Sequence, residues 1–204
     1  MIKAVVFDFA GTLFGRPTHR WLSPEHLAVL RAPAPYIARM NAAERAVWAA
    51  RDLTALANRS AHWTLFRLAG LPMTDDIFRR LHDPAFWLPY SDTAAALSAV
   101  RPLKVGVLSN VSWNIRSLFA RESLPVDAFA LSYEIGFAKP SPHAFEAACA
   151  RLDVEPSECL HVGDDPVSDG AAVQAGLAFA RISTAPVGRR EPVLLEALAS
   201  HGIG

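Results

Sequence analysis

Four short runs in this 204-residue chain carry side chains that could do chemistry together: Asp8-Phe9-Ala10-Gly11-Thr12-Leu13, Ser109-Asn110, Lys139-Pro140, and Gly163-Asp164-Asp165 with Asp169 close behind. Singly, each has an ordinary explanation. An aspartate before glycine serves turns, a Ser-Asn pair caps helices, and a lone lysine is usually solvated. Jointly, and in this order, they supply a carboxylate nucleophile, a hydroxyl donor, a fixed cation and an acidic metal site. That set suits phosphoryl transfer, where positioning and charge neutralisation provide most of the catalysis.

The elements around these runs would bring them to one place. Ile2 to Phe9 is a short apolar run ending at Asp8 and then Gly11, the pattern of a buried parallel strand with a carboxylate at its C-terminal tip. Ligands bind at such tips in open α/β sheets. After Tyr90, strand and helix alternate: a helix near Asp92 to Val100, strands at Leu103 to Leu108, Phe129 to Ser132, Cys159 to Val162 and Ala178 to Ile182, and helices around Ile115 to Arg121, after Ser141-Pro142, at Asp169 to Ala175 and near Pro192 to Ala199. The alternation predicts an α/β fold, a doubly wound parallel sheet. Each of the four runs falls at a strand tip.

Between Gly15 and Tyr90 strand patterns vanish, helical periodicity dominates, and prolines punctuate the chain. This predicts two parts: a core of residues 1–14 and 91–204, and an inserted helical unit of residues 15–90. Ser23-Pro24 reads as an N-cap followed by proline in the first turn, and Asn41-x-x-Glu44 as a capping box opening a helix that runs to about Ala57.

Composition narrows the classes of function. Lysine plus arginine equal aspartate plus glutamate at 20 each, so no basic footprint draws the protein to nucleic acid or an anionic membrane. Only three residues are lysine, at 3, 104 and 139, all outside the helical insertion. Asp8 interrupts the N-terminal apolar run too early for a secretory signal, and no run approaches membrane-spanning length. Cys149 and Cys159 read as two buried reduced thiols, which with the rest predicts a cytoplasmic protein.

The order and content of the four runs resemble the haloacid dehalogenase superfamily. The resemblance runs from Val5 to about Ile182 and includes Leu108-Ser109-Asn110, Gly136-Phe137-Ala138-Lys139-Pro140, and Gly170-Ala171 through Ala175-Gly176. It implies a Rossmann-like core with a C1-type helical cap, and a Mg²⁺-dependent hydrolase acting on a small phosphorylated metabolite. Asp8 would be the nucleophile, forming an aspartyl-phosphate. Ser109 and Lys139 would hold phosphate oxygens, with Phe9, Gly11, Thr12 and Asn110 lining the phosphate. The metal would take Asp8, the backbone carbonyl of Ala10 and Asp164, with Asp165 and Asp169 completing or orienting its shell; Asp169 could instead pair with Lys139.

Position 10 departs from the pattern. The family's phosphatases usually carry a second aspartate there, which protonates the leaving group and then activates water. Alanine keeps the carbonyl but cannot move protons, a role typically worth about 10²- to 10⁴-fold. Phosphonoacetaldehyde hydrolases resemble this chain at that position, but they use a cap lysine, and this cap has none. True haloacid dehalogenases lack the acidic metal pair present here. A hydrolase of activated phosphates, or one with an acid from the cap such as His19, His26, His62 or His82, fits best. The alternatives are an impaired scaffold that only binds a phosphorylated ligand or partner, a phosphonate hydrolase working by another route, and an alanine engineered from aspartate. In the insertion, Arg16 or Arg39 could bind a distal anion, while most of the aromatic residues should serve packing.

Overall fold

The computed structural model describes residues 1–18 and 21–204. Five strands form one parallel sheet in the order β5-β4-β1-β6-β7: β1 Ala4–Phe7, β4 Lys104–Ser109, β5 Ala128–Leu131, β6 Cys159–Gly163 and β7 Ala178–Arg181. β1 sits in the middle because all four of its residues are apolar and buried, which suits a strand covered on both faces. It pairs with β4 through Val5↔Val105 and with β6 through Val5↔Leu160, so the ends of all three strands come level. The strand order reverses beside β1, which opens the crevice where such sheets bind ligands.

Side-chain alternation divides the core in two. Val5 and Phe7 join Val105 and Val107 on one face, covered by α6 (Thr93–Ala99), α7 (Arg116–Arg121) and α10 (Leu194–Ala199). Ala4 and Val6 join Leu108 and Ala130 on the other, covered by α9 (Pro142–Arg151) and the turn at Gly170–Val173. Each large apolar side chain buried this way contributes about 1.5–3 kcal/mol. Both cysteines lie in the second face, buried and free. A short helix, α8 (Ser132–Ile135), follows β5 directly and takes Ser132 out of the strand that the sequence suggested.

Two-residue strands β2 (Phe14–Gly15) and β3 (Leu88–Pro89) pair antiparallel where the chain leaves this sheet and returns to it. Between them lie α1 (Pro24–Arg31), α2 (Ala34–Ile37), α3 (Ala42–Ala49), α4 (Ala55–Leu68) and α5 (Asp75–His82). Val29, Met40, Leu65 and Phe66 form their own small core. Ser23 caps α1 with Pro24 in its first turn, and Asn41 and Glu44 close a reciprocal capping box at 2.9 Å each way. The helix expected to reach Ala57 ends at Ala49 instead. Thr54 starts a new one by accepting from Ala57 N at 3.1 Å, leaving 50–53 as a turn. None of the helices is long and apolar enough to cross a membrane among the described residues.

Candidate active site

Asp8 follows β1, Ser109 ends β4, and Asp164 follows β6, so the register of three adjacent strands delivers them to one end of the sheet. They line a cavity of about 620 Å³ together with Ala10, Asn110, Lys139, Asp165 and Asp169 from the sheet side. From the helical side the same cavity is walled by Arg16, Trp48, Arg51, Asp52, His62 and His82, among others.

Lys139 is the hub. Its ammonium donates to Asp8 Oδ1 at 2.6 Å and to Asp169 Oδ1 at 2.5 Å, and the side chain is 2% exposed. Burial alone would lower the Lys139 ammonium, but Asp8 and Asp169 hold it above its ordinary value. Burial pushes the Asp8 carboxyl up to about 7 against the pull of Lys139, while the charges of Asp169 and Asp164 add to the rise. Burial likewise opposes ionisation of Asp169, yet Lys139 and the hydrogen bond from His161 keep it well below the usual carboxylate range. Desolvation lowers the His161 ring against the pull of Asp169, and because a carboxylate oxygen accepts, the ring's Nε2–H is the donor to Asp169 Oδ1 at 2.9 Å.

Carboxylate oxygens of Asp8, Asp164 and Asp169 lie within 4.8 Å of one another, which makes these three the set able to share a cation among the described residues. Burial and Asp169 raise the Asp164 carboxyl, and Thr12 Oγ1 donates to it at 3.3 Å. Close approach here depends on glycine. Gly11 has φ +97°, and a Cβ on it would stand 2.7 Å from Asp164 Oδ2. Asp165 stands outside the set: its Oδ1 accepts Val167 N at 2.8 Å and Ser168 N at 2.7 Å, shaping the loop. Asp169 Oδ2 accepts Asp165 N at 3.0 Å, so Asp169 is engaged by three donors.

The remaining predicted residues divide between lining and support. The Asn110 side chain clips the backbone of Lys139, and the Phe9 ring is buried with its centroid 4.6 Å from that of Trp87. Ala10 is exposed into the cavity. His62 and His82 reach the cavity, whereas His26 bonds Ser23 Oγ and Pro72 O outside it. His19 lies outside the described residues. Arg39 binds the Leu68 carbonyl away from the site. Arg16 does line it, donating to Leu81 O at 2.9 Å with its guanidinium 4.5 Å over Trp87; burial lowers it to about 10, still charged at neutral pH.

Sequence reasoning missed the brace beneath the loop of residues 10–13. Arg190 donates to the carbonyls of Thr12 at 2.7 Å and Gly11 at 3.2 Å, and pairs with Asp92, both side chains being almost fully buried. Asp92 Oδ2 in turn accepts from Val193 N and Leu194 N at 2.8 and 2.9 Å. The Asp92-Thr93 pair opening α6 was the available signal. It read as a helix start, but Asp92 makes no side-chain cap to α6 and Thr93 donates to Leu13 O at 2.7 Å.

Comparison with known proteins agrees with this geometry. The chain is 27% identical over 211 residues to a glyceraldehyde 3-phosphate phosphatase of Methanopyrus kandleri, covering 94% of this chain and 88% of that one. The first curated relatives it matches are covered over only about a third of their length, 34% and 38%. Among solved structures, L-2-haloacid dehalogenase from Xanthobacter autotrophicus superposes with a TM-score of 0.68 at 24% identity, over 99% of this chain and 84% of that one. A Bacteroides thetaiotaomicron enzyme of the same fold, solved with magnesium and inorganic phosphate, gives 0.59 at 15% identity, over 93% and 98%. A family model described as haloacid dehalogenase-like hydrolase matches residues 2–176, and this chain belongs to that family.

Proposed function

We propose that this hydrolase is a Mg²⁺-dependent phosphatase that cleaves a small phosphorylated substrate through an aspartyl-phosphate on Asp8. The observation that carries the reading is the Lys139 ammonium held between Asp8 and Asp169, with the Asp164 carboxylate beside them. A nucleophilic carboxylate meeting a phosphate must overcome like charge, and this site concentrates the means to do so. The Methanopyrus phosphatase and the magnesium- and phosphate-bound Bacteroides enzyme support the same class of chemistry.

The donor set fits magnesium. Hard carboxylate oxygens of Asp8 and Asp164 suit it, and the cluster of three mutually close carboxylates carries more negative charge than Lys139 alone offsets. The Ala10 carbonyl would join them, and Asp169, taken up by Lys139 and His161, would orient the shell. Bound there, the ion would supply positive charge to offset the repulsion between the Asp8 carboxylate and a phosphate. Lys139 and Ser109 hold the phosphoryl oxygens, and Asp8 Oδ attacks in line. The helical segment between β2 and β3 acts as the cap that closes the cavity, its aromatic and cationic lining selecting the substrate. The balanced surface charge and two free thiols fit a small metabolite in a reducing cytoplasm.

The test is phosphate release from acyl and alkyl phosphates with Mg²⁺, by the protein and its Asp8→Asn variant. Turnover that needs both Asp8 and Mg²⁺ is expected. Halide release from 2-chloropropionate without phosphate release would overturn the reading in favour of dehalogenation, and tight phosphate binding without turnover would favour a scaffold.

A further inference from the structure

Ala10 puts no proton carrier where the family's phosphatases keep their second aspartate, and the two histidines that line the cavity among the described residues do not replace it. His82 has both ring nitrogens engaged, with Phe78 O at 2.8 Å and Asn58 Oδ1 at 2.9 Å. Burial lowers His62 to about 4, and its Nδ1 is committed to Asn58 O at 2.9 Å, so at neutral pH it has no free proton to give.

A carboxyl group from the helical segment does reach the cavity. Asp52 lies in the turn between α3 and α4, with its side chain 17% exposed and its Oδ2 3.3 Å from Arg51 Nη2. Its position is fixed from the sheet side. The Ser132 hydroxyl donates to the Asp52 carbonyl at 2.6 Å while accepting from Val111 N at 2.9 Å, two residues beyond Ser109. One hydroxyl thus ties the Asp52 turn to the β4 tip that presents Ser109. Burial raises the Asp52 carboxyl, opposed by Arg51 and by Lys139, whose charge reaches it across the cavity.

We propose that Asp52 is the general acid and base of this enzyme, supplying from the cap the proton transfers that position 10 does not. This rests on the phosphatase reading above. As Asp8 Oδ bonds to phosphorus and the bond to the leaving oxygen breaks, protonated Asp52 gives its proton to that oxygen and the alcohol departs. The Asp52 carboxylate then takes a proton from water as the water oxygen bonds to phosphorus and the Asp8–phosphorus bond breaks. Inorganic phosphate leaves, and Asp52 is protonated for the next cycle.

The experiment compares the protein with Asp52→Asn, which keeps the backbone carbonyl for Ser132, on an alkyl phosphate and an acyl phosphate with Mg²⁺. Asp52→Asn is expected to lose about 10²- to 10⁴-fold in kcat on the alkyl phosphate, with a smaller change in KM. On the acyl phosphate, which needs no acid, it should give a single-turnover burst and then stall as phospho-enzyme detectable by mass spectrometry. Unchanged kcat on the alkyl phosphate, or an equal loss in the alkyl rate and the acyl burst, would overturn the role of Asp52. Turnover lost in Asp8→Asn but kept in Asp52→Asn removes only this inference, whereas no phosphate release by the unmodified protein removes the phosphatase reading as well.

Discussion

The side-chain amide of Asn110 clips the backbone of Lys139, accepting from Lys139 N and donating to the Lys139 carbonyl, each at 2.7 Å. An amide can do this because it carries both a donor and an acceptor, one for the N–H and one for the C=O of the same residue. Ser109 and Lys139 are thereby linked, since Asn110 continues directly from the β4 tip.

Replacing Asn110 with alanine should therefore act on Lys139. Leaving the peptide groups unpaired costs about 1–3 kcal/mol for each buried group left unsatisfied. The variant should melt earlier, and steady-state kinetics should show a lower kcat because the Lys139 ammonium is no longer held in place. An equal kcat with a raised KM would instead mean that Asn110 binds substrate.

Gly11→Ala should weaken the metal site. The residue adopts φ +97°, costly for alanine by about 1–2 kcal/mol, and the added Cβ would meet Asp164. Gly70→Ala is the control, because Gly70 has φ +71° with nothing within 4 Å of the new Cβ. Both variants should melt earlier, and only Gly11→Ala should lose Mg²⁺ affinity by calorimetric titration.

The Arg190–Asp92 pair predicts an asymmetry between single and double variants. Arg190→Met leaves Asp92 charged and buried, at a cost of about 3–5 kcal/mol in urea unfolding. Adding Asp92→Leu removes the stranded charge and should recover part of the stability. Activity should stay low in both, since the carbonyls of Gly11 and Thr12 lose their clamp.

Acid should loosen the fold through His62. Its ordinary value of 6.5 falls to about 4 on burial, so the unfolded chain binds the proton more readily. The stability it contributes is complete above pH 6.5 and declines as pH falls towards 4, by roughly 3 kcal/mol in all. His62→Gln should flatten this part of the urea-midpoint profile between pH 7 and 4.5. A profile identical to the unmodified protein's would assign the acid loss elsewhere.

Ala10→Asp should raise turnover of alkyl phosphates, since position 10 opens into the cavity beside Asp8. In the Asp52→Asn background the same change should restore kcat on the alkyl ester. Failure to restore it, with Mg²⁺ binding intact, would mean that position 10 does not face the leaving group.

Much of this site was legible because its residues follow short apolar strands. Asp8, Ser109 and Asp164 could be placed from the run that precedes each of them, and the capping box at Asn41 and Glu44 could be read from spacing alone. Asp52 could not. The helical pattern runs on through Ala50 to Ala57, and the break depends on Thr54 acting as a cap and on the distant Ser132 hydroxyl, neither of which periodicity reveals. Spacing alone could not divide the roles of Asp165 and Asp169, and only the fold shows Asp165 Oδ1 accepting two backbone N–H groups while its own N–H donates to Asp169. Arg190 sits in a stretch with no strand or helix pattern, and only the folded chain brings it under Gly11.

Three polar links of the site join segments that are far apart in the chain: 131 residues separate Lys139 from Asp8, 152 separate Asp164 from Thr12, and 178 separate Arg190 from Thr12. On a ribosome the nucleophile emerges first, and its counter-charge and brace emerge long afterwards. A nascent or half-folded chain would hold Asp8 as a plain solvated carboxylate. Turnover would thus report closure of these distant contacts, and its recovery during refolding should lag behind early helix formation, because pairs so far apart in sequence carry the larger loop-closure cost.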